Sequence, residues 1–258
     1  HAIDCGCDPL IALQMATINT ASHFGLEREL GSVAPGRRAD MILTGDLVSL
    51  PIEVVYARGN KVAENGRLTT DCPHYKWPKA SKNTVHLGKV LAQTDCESPA
   101  PKQAQTVTAK VIGVVENQAP TKALSADLPV VNGLVEPNKD ICQIALVERH
   151  RGTGAVTNAF VSGFGYHGTM AIASTVAHDS HHMIVVGTDR VMMAAAVNRL
   201  GAIGGGVTVW KDGHEIGVVE LPIAGLMSDR PAAEVAAAAQ TILQAMQACG
   251  CSLNNAFM

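Results

Sequence analysis

The chain has 258 residues, of which 47% are hydrophobic, 17% are charged and only 3% are aromatic, and its formal net charge is −3. This balance is enough to bury one large core or two ordinary ones, built from aliphatic side chains. A nucleic-acid partner and an anionic membrane surface are not expected, because each needs a basic protein field. No apolar run reaches the ~18 residues that span a bilayer, so no membrane partner is expected either.

The cysteines and the two chain ends bear on compartment and completeness. Seven cysteines are an odd number, and the pairs Cys5/Cys7 and Cys249/Cys251 have Cys-x-Cys spacing. Common zinc sites use Cys-x-x-Cys instead, so reduced thiols in a cytoplasmic protein are the simpler interpretation. The chain begins without an initiating Met and stops as an apolar segment begins. We therefore expect it to be part of a longer protein.

The first part of the chain is predicted to form a helix followed by strands. Residues 8–26 have apolar side chains near helical spacing, and Asp8-Pro9 is typical of an N-cap followed by proline at the first helical position. The strands that follow are short: residues 39–44, then a hairpin of residues 54–57 and 62–63 that turns at Gly59-Asn60.

The composition changes from residue 71 to about residue 105. Pro73, Pro78, Pro99 and Pro101 lie here among Lys, Ser, Thr and Gln. Such a stretch is typical of a long connection that wraps a surface. We therefore expect a linker at residues 71–105 and a domain boundary within it.

Strands and helices alternate beyond the linker, which predicts an α/β fold, with α+β as the alternative. The predicted strands are residues 109–117, 141–148, 157–161 and 183–187, and a hairpin of residues 206–210 and 215–220 that turns at Asp212-Gly213. Periodicity does not separate helix from strand at residues 171–177. The predicted helices are residues 189–200, with Asp189 as N-cap and Gly201 as stop, and residues 231–248, capped by Ser228 or Asp229.

The densest polar cluster is residues 178–182, with the sequence His-Asp-Ser-His-His, between two apolar runs. Imidazole and carboxylate groups between buried segments need partners or a cavity. The spacing of His178 and His181 could place two ring nitrogens on one side of a turn, as at a metal site. The alternative is a hydrogen-bonded loop that caps the following strand, and the residues alone leave both interpretations open.

Residues 163–168 spell Gly-Phe-Gly-Tyr-His-Gly, a literal G-x-G-x-x-G. A predicted strand precedes it, and Asp189 lies about 20 residues further on, as in a dinucleotide-binding fingerprint. The segment after it is short and runs into the histidines, whereas the fingerprint needs a helix long enough to reach the next strand. A glycine-rich loop is therefore favoured, with a nucleotide-binding module as the alternative.

Two segments near the start resemble the end of the catalytic domain in the amidohydrolase superfamily. They are Gly-Ser-Val-Ala-Pro-Gly-Arg-Arg-Ala-Asp-Met-Ile-Leu at residues 31–43 and Val-Tyr-Ala-Arg-Gly-Asn-Lys-Val at residues 55–62. In that superfamily a helix leaves the catalytic barrel, and the chain returns through such a turn to a small β-sandwich. The role that this resemblance implies is structural.

The rest of the chain resembles the adenine deaminase family of that superfamily. The matching pieces are Leu-Val-Glu-Arg-His at 146–150, Gly-Phe-Gly at 163–165, Thr-Val-Ala-His-Asp-Ser-His at 175–181, Ile-Val-Val-Gly at 184–187, Ala-Val-Asn at 196–198, Gly-Gly-Gly at 204–206 and Leu-Pro-Ile-Ala-Gly-Leu-Met-Ser at 221–228. The resemblance implies the helix and β-sandwich strands of an amidohydrolase domain at residues 1–70, a linker at 71–105 and a separate C-terminal α/β domain at 106–258.

The resemblance implies hydrolysis of adenine to hypoxanthine and ammonia, in purine salvage, by a metal-dependent homo-oligomer. The family uses a binuclear Mn or Fe centre, whose His-x-His pair and other ligands lie upstream on barrel strands. The present sequence has no His-x-His, so no metal ligand carries over, and we expect activity only together with that barrel. His178, Asp179, Ser180 and His181 are the candidate catalytic residues, as part of the active-site wall. A non-catalytic structural or dimerisation domain is the alternative.

Overall fold

The structure is a computed structural model that describes residues 1–71, 75–118, 120–138, 140–178 and 180–254. The chain divides into two compact units, His1–Tyr75 and Lys76–Met258. Among the described residues, no helix has both the length and the hydropathy to cross a membrane. The cysteines within the same ranges are all free thiols.

The first unit contains two short helices and a four-stranded antiparallel sheet. The helices are α1 (Pro9–Ala16) and α2 (Ile18–His23), and the strands, in sheet order, are β1 (Met41–Thr44), β2 (Ile52–Ala57), β3 (Asn60–Glu64) and β4 (Arg67–Leu68). The predicted N-cap is confirmed, since the Asp8 carboxylate accepts from the backbone N–H of Leu10 at 2.9 Å.

Two details of the first unit differ from the sequence prediction. The single helix over 8–26 is wrong, because the backbone breaks at Thr17 (φ −127°, ψ −97°), whose hydroxyl donates back to the carbonyl of Leu13. The β2–β3 hairpin is confirmed, but its turn is Arg58-Gly59, one residue earlier than expected. Both turn residues have positive φ, 49° and 78°, which a two-residue type I′ turn requires.

The second unit is built on a nine-stranded sheet. Its strands are β5 (Thr106–Gly113), β6 (Lys122–Val131), β7 (Leu134–Val135), β8 (Ile141–Val147), β9 (Val156–Ser162), β10 (Met170–Ser174), β11 (Met183–Gly187), β12 (Gly206–Lys211) and β13 (His214–Glu220). The order is β13-β12-β10-β11-β8-β9-β5-β6-β7, and every neighbouring pair is antiparallel except β5 and β9. The expected mixture of strand and helix is confirmed, with sheet predominating.

Helices α3 (Arg190–Ile203) and α4 (Ala232–Ala248) cover opposite faces of this sheet. Side chains alternate between the faces of a strand, and β10 shows the division. Ala171 and Ala173 pack in the core cluster that contains the α3 methionines, whereas Ile172 packs in the cluster that contains Ile242 and Met246 of α4. A third cluster lies at the β5–β6 side of the sheet.

The ends of the two long helices differ from expectation. The stop at Gly201 is wrong, since α3 runs through it to Ile203 and is capped by Gly204, which has the left-handed φ of 82°. Gly201 instead allows close packing, because a Cβ there would lie 2.6 Å from Leu87 Cδ1. The expected cap of α4 is also wrong: its N-cap is Pro231, with no side-chain hydrogen bond, and Asp229 pairs with Lys82 at 2.7 Å.

The stretch 76–105 contributes to the packing of the second unit. Leu91 and Cys96 are buried in the α3 core cluster, and two short 3₁₀ helices, Lys79–Ser81 and Gln93–Cys96, interrupt the stretch. The proposed domain bounds of 1–70, 71–105 and 106–258 stay a prediction.

Candidate functional site

Four loops leave the same end of the nine-stranded sheet. The register pairs Met183 with Val147, Ser174 with Val207 and Gly206 with Glu220. The segments that follow β8, β10 and β13 and that precede β12 therefore meet at one end of the sheet. They include residues 148–150, the histidine loop (residues 175–182), residues 204–205 and the Leu-Pro loop (residues 221–228). Four of the sequence motifs thus converge, although they are far apart along the chain.

The buried side chain of Arg149 lies at the centre of this end. It is 1% exposed, and its Nε donates to the carbonyl of His181 at 2.6 Å. Its Nη1 and Nη2 both donate to the carbonyl of Ala224 at 3.3 Å. Burial lowers the pKa of the guanidinium, and no carboxylate among the described residues forms an ion pair with it. Arg149 therefore joins the histidine loop to the Leu-Pro loop through backbone carbonyls.

Thr175 joins the glycine segment to the same two loops. Its hydroxyl, fully buried, donates to the carbonyl of Gly225 at 2.6 Å and accepts from the N–H of Gly206 at 2.8 Å. The backbones approach closely here, since a Cβ on Gly205, at φ 115°, would lie 2.5 Å from Gly225 Cα. The Gly-Gly-Gly motif is thus explained by close backbone contact.

The predicted site residues occupy the outer part of this end. His178 and Ser180 are exposed, and His181 is half-buried with a positive φ of 48°. Asp179 lies outside the described residues. The carbonyl of Ser180 accepts from His150 Nε2 at 3.0 Å, and the His150 ring centroid lies 4.9 Å from that of His182. The structure therefore brings a further imidazole, His150, to the predicted loop.

Two buried imidazole nitrogens of the histidine loop have no hydrogen bond to any described residue. Nδ1 of His181 and Nδ1 of His182 are buried and have no partner within the part of the chain that the structure describes. Buried polar atoms are normally paired, and exceptions are often associated with function. The same described ranges contain no group of three or more His, Cys, Asp or Glu side chains that could hold a metal ion.

Glu148 organises the turn beside Arg149. Its carboxylate accepts from the N–H groups of Arg151 and Thr153 at 2.8 and 3.0 Å and from that of His150. These hydrogen bonds, with the Thr153 N–H the largest contribution, lower the pKa of Glu148 to about 2. An ionised carboxylate thus holds the turn that carries Arg149 and His150.

The glycine-rich loop at 163–168 lies at the opposite end of the sheet. Its N–H groups at Gly163 and Gly165 donate to the Asp140 carboxylate at 3.0 and 2.8 Å. Strand β10 begins two residues after Gly168, so the helix N-terminus that a dinucleotide fingerprint needs is not formed there. The nucleotide-binding alternative has no support in this geometry, and the loop instead pairs with residues 249–252.

A polar cavity of about 370 Å³ lies at the start of α3, apart from the four loops. Its arginine, Arg190, is already paired with the carboxylate of Glu136 at 2.9 Å and with the amide oxygen of Gln143 at 3.1 Å. None of the motif residues at 146–150, 175–182 or 221–228 lines it. The four-loop end is therefore the stronger candidate site.

Comparison with known proteins assigns the family. Residues 118–258, which are more than half of the chain, match the family model described as the adenine deaminase C-terminal domain. Residues 1–62 match the amidohydrolase family. The chain belongs to the adenine deaminase family. It is 72% identical over its whole length to an adenine deaminase of Ruegeria sp. (strain TM1040), 69% to that of Paracoccus denitrificans and 41% to that of Moorella thermoacetica. It covers 43%, 43% and 44% of these relatives, so it spans less than half of their length.

Sequence reasoning missed the residues that connect these loops. Arg149 and Thr175 were part of quoted motifs but had no role assigned to them. The available signal was an arginine two residues after the apolar run 141–147, because a charge close to a buried strand needs partners. The identity of those partners, the carbonyls of His181 and Ala224, depends on pairing between distant segments and has no local signal.

Proposed function

We propose that this chain is the C-terminal part of an enzyme that hydrolyses adenine to hypoxanthine and ammonia. The observation that carries the proposal is 72% identity, over all 258 residues, to an adenine deaminase. The match of residues 1–62 to the amidohydrolase family supports a hydrolytic reaction. The same resemblance favours purine salvage, a cytoplasmic location and a homo-oligomer.

The metal of such an enzyme would be held outside the described residues. Amidohydrolases use a metal cofactor, and we expect a binuclear Mn or Fe centre. The side chains described do not fit it, because no three potential ligands come together in them. We therefore assign the ligands to the upstream part of the amidohydrolase domain, and we assign no step of the reaction through the metal to this chain.

We propose that the histidine loop forms part of the wall of the adenine site. His178, Asp179, Ser180 and His181 remain the candidate residues. Adenine presents ring nitrogens as acceptors and an amine as a donor. An exposed imidazole and an exposed hydroxyl can donate hydrogen bonds to the ring nitrogens and accept them from the amine. His178 and Ser180 are the exposed members, so they would contact the purine, while His181 would hold the loop through its carbonyl.

Two energetically unfavourable features of the histidine loop support a functional role over a purely structural one. Two features are unfavourable: the left-handed φ of His181, a residue with a Cβ, and the buried nitrogens of His181 and His182, which have no partner among the residues that the structure describes. Such features persist where surrounding structure holds them, and they cluster at active sites. A loop that served stability alone would gain nothing from them.

The first unit offers an apolar surface to the proposed upstream segment. Leu10, Ile11, Met15 and Phe24 are between 52% and 70% exposed, and an apolar cavity of about 630 Å³ lies between the helices and β1–β2. Large apolar side chains exposed to this extent, in the unit that also carries an apolar cavity, indicate an interaction surface. We propose that the rest of the amidohydrolase domain covers it.

The proposal is tested by a fusion protein. The part of the Ruegeria adenine deaminase that this chain does not cover would be joined to the chain, and metal-supplemented fusion would be assayed for hypoxanthine and ammonia. We expect enzyme-like turnover, within about 10-fold of the intact Ruegeria enzyme. A folded, metal-loaded fusion without adenine turnover, beside an active Ruegeria control, would contradict the proposal.

A further inference from the structure

Arg149 binds two loops that the sequence separates by about forty residues. Its Nε donates to His181 O at 2.6 Å, and both Nη atoms donate to Ala224 O at 3.3 Å. Its side chain is only 1% exposed. A buried cation is costly, and no carboxylate among the described residues offsets this one. The two carbonyls are thus its main partners.

Both carbonyl acceptors belong to strained residues. His181 has φ 48° and Ala224 has φ 56°, and the left-handed region is unfavourable for residues with a Cβ. Strained backbone of this kind persists only when its surroundings over-determine it. The Arg149 guanidinium forms hydrogen bonds to both residues. It therefore restrains the backbone of both loops at once.

The Leu-Pro loop is shaped to let the guanidinium reach it. Gly225 has φ 71°, and a Cβ on it would lie 2.7 Å from Nη1 of Arg149. The glycine therefore leaves room for the planar group. Ala224 N–H in turn donates to Ser81 O at 2.6 Å, which fixes the far side of the loop.

We propose that Arg149 is a positioning residue of the adenine site: it holds the histidine loop and the Leu-Pro loop as one rigid wall and so orients His178 and Ser180. This inference rests on the proposed function for the site, but the coupling of the two loops does not. Arg149 acts through backbone carbonyls and does not touch substrate.

Hydrogen exchange of this chain tests the coupling without any enzyme assay. The variants are Arg149→Lys, which keeps the charge but loses the fork, and Gly225→Ala, which obstructs the guanidinium. Arg199→Lys is the matched control. Arg199 lies on helix α3, and its side chain pairs with Glu215 at 3.2 Å. We expect exchange at residues 176–182 and 221–228 to rise together by at least about 10-fold in both variants, with β12 unchanged.

An increase confined to one loop, or an increase equal to that of Arg199→Lys, would overturn the coupling. Because Thr175 of the histidine loop also donates to the Gly225 carbonyl, the decisive response in Gly225→Ala is that of residues 180–182, which flank the His181 carbonyl bound by Arg149. This response remains decisive if Arg149→Lys fails to fold.

Kinetics of the fusion protein test the positioning role. We expect Arg149→Lys to lower kcat/KM for adenine at least about 10-fold, mainly through kcat, in protein that is folded and metal-loaded at the assay temperature, as the Arg199→Lys control is. Unchanged kcat/KM in Arg149→Lys, beside an impaired His178→Ala, would overturn positioning. Unchanged kcat/KM in both variants would instead refute the placement of the loop at the adenine site, and the exchange result would still decide whether Arg149 couples the loops.

Discussion

At the scale of single residues, His178 is the group whose role separates function from structure most clearly. It is exposed, so its removal leaves no buried group unpaired. We predict that His178→Ala in the fusion protein lowers kcat/KM at least about 10-fold while the melting temperature and metal content stay unchanged. His214→Ala is the matched control, because His214 is also exposed and pairs with Lys211 at the other end of the sheet. Equal kcat/KM for the two variants would remove His178 from the site.

His181 and Asp179 carry a different expectation. If the histidine loop is only structural, His181→Ala or Asp179→Ala should lower the free energy of unfolding by about 1–3 kcal/mol, and activity should fall only as protein unfolds. If the loop lines the site, turnover should fall in protein that is still folded. Steady-state kinetics and thermal melts on the same samples distinguish these results, and unchanged kcat/KM in folded His181→Ala would exclude that residue from the site.

Glu148 gives a prediction about pH. Its pKa of about 2 lies below the ordinary value of about 4.3 for glutamate. A folded-state pKa that is depressed means that the carboxylate stabilises the fold above the unfolded value and loses this effect as the pH falls towards the folded one. We predict that Glu148→Gln lowers the urea midpoint at pH 7 and that its difference from the unchanged chain shrinks between pH 4.5 and pH 3. A difference in urea midpoint that is the same at pH 4.5 and at pH 3 would contradict this role for the Glu148 carboxylate.

At the scale of elements, the glycine-rich loop is predicted to bind no dinucleotide. The carboxylate of Asp140 occupies the N–H groups of Gly163 and Gly165, and these are the groups that a phosphate would need. Calorimetry with NAD or NADP should show no saturable heat at millimolar ligand. A micromolar dissociation constant would overturn this interpretation. Asp140→Ala should instead lower the free energy of unfolding, by about 1 kcal/mol.

Elements with strong local signals were predictable from the sequence. Strand β11 and the turn Asp212-Gly213 are found where they were expected, because an apolar run bounded by polar residues and an Asp-Gly turn act locally. Strand β6 has a weak local signal, because Ser125, Asp127 and Pro129 interrupt its apolar residues; Pro129 is tolerated there because β6 lies beside the short edge strand β7. The helix stop predicted at Gly201 is wrong because this glycine packs against Leu87, and the sequence gives no local signal of a contact with such a distant segment.

The candidate site was predictable only in part. The motif at 178–182 was recognisable, since a dense polar cluster between apolar runs is visible in the sequence. Its convergence with Arg149 and the Leu-Pro loop was not, because it requires β11 to pair with β8 and β10 with β12. No local pattern encodes such pairing between distant strands.

At the scale of the whole molecule, the exposed apolar surface of the first unit predicts how the isolated chain behaves. Leu10, Ile11 and Phe24 would be covered in the fusion protein but lie open in the chain alone. We predict that the chain alone binds a hydrophobic dye such as ANS and that the fusion protein binds much less of it per mole. Equal dye binding would show that the proposed upstream segment does not cover this surface.

The claim on which the rest depends is that this chain completes a deaminase whose metal is held elsewhere. The most direct measurement is the steady-state rate of hypoxanthine formation from adenine by metal-supplemented chain alone and by the fusion protein, at equal concentration. We predict turnover by the fusion and a rate at least about 10²-fold lower for the chain, because positioned side chains without the metal centre supply only ~10²- to 10⁴-fold of an enzyme's acceleration. Enzyme-like turnover by the purified chain alone, or none by a folded fusion, would contradict the claim.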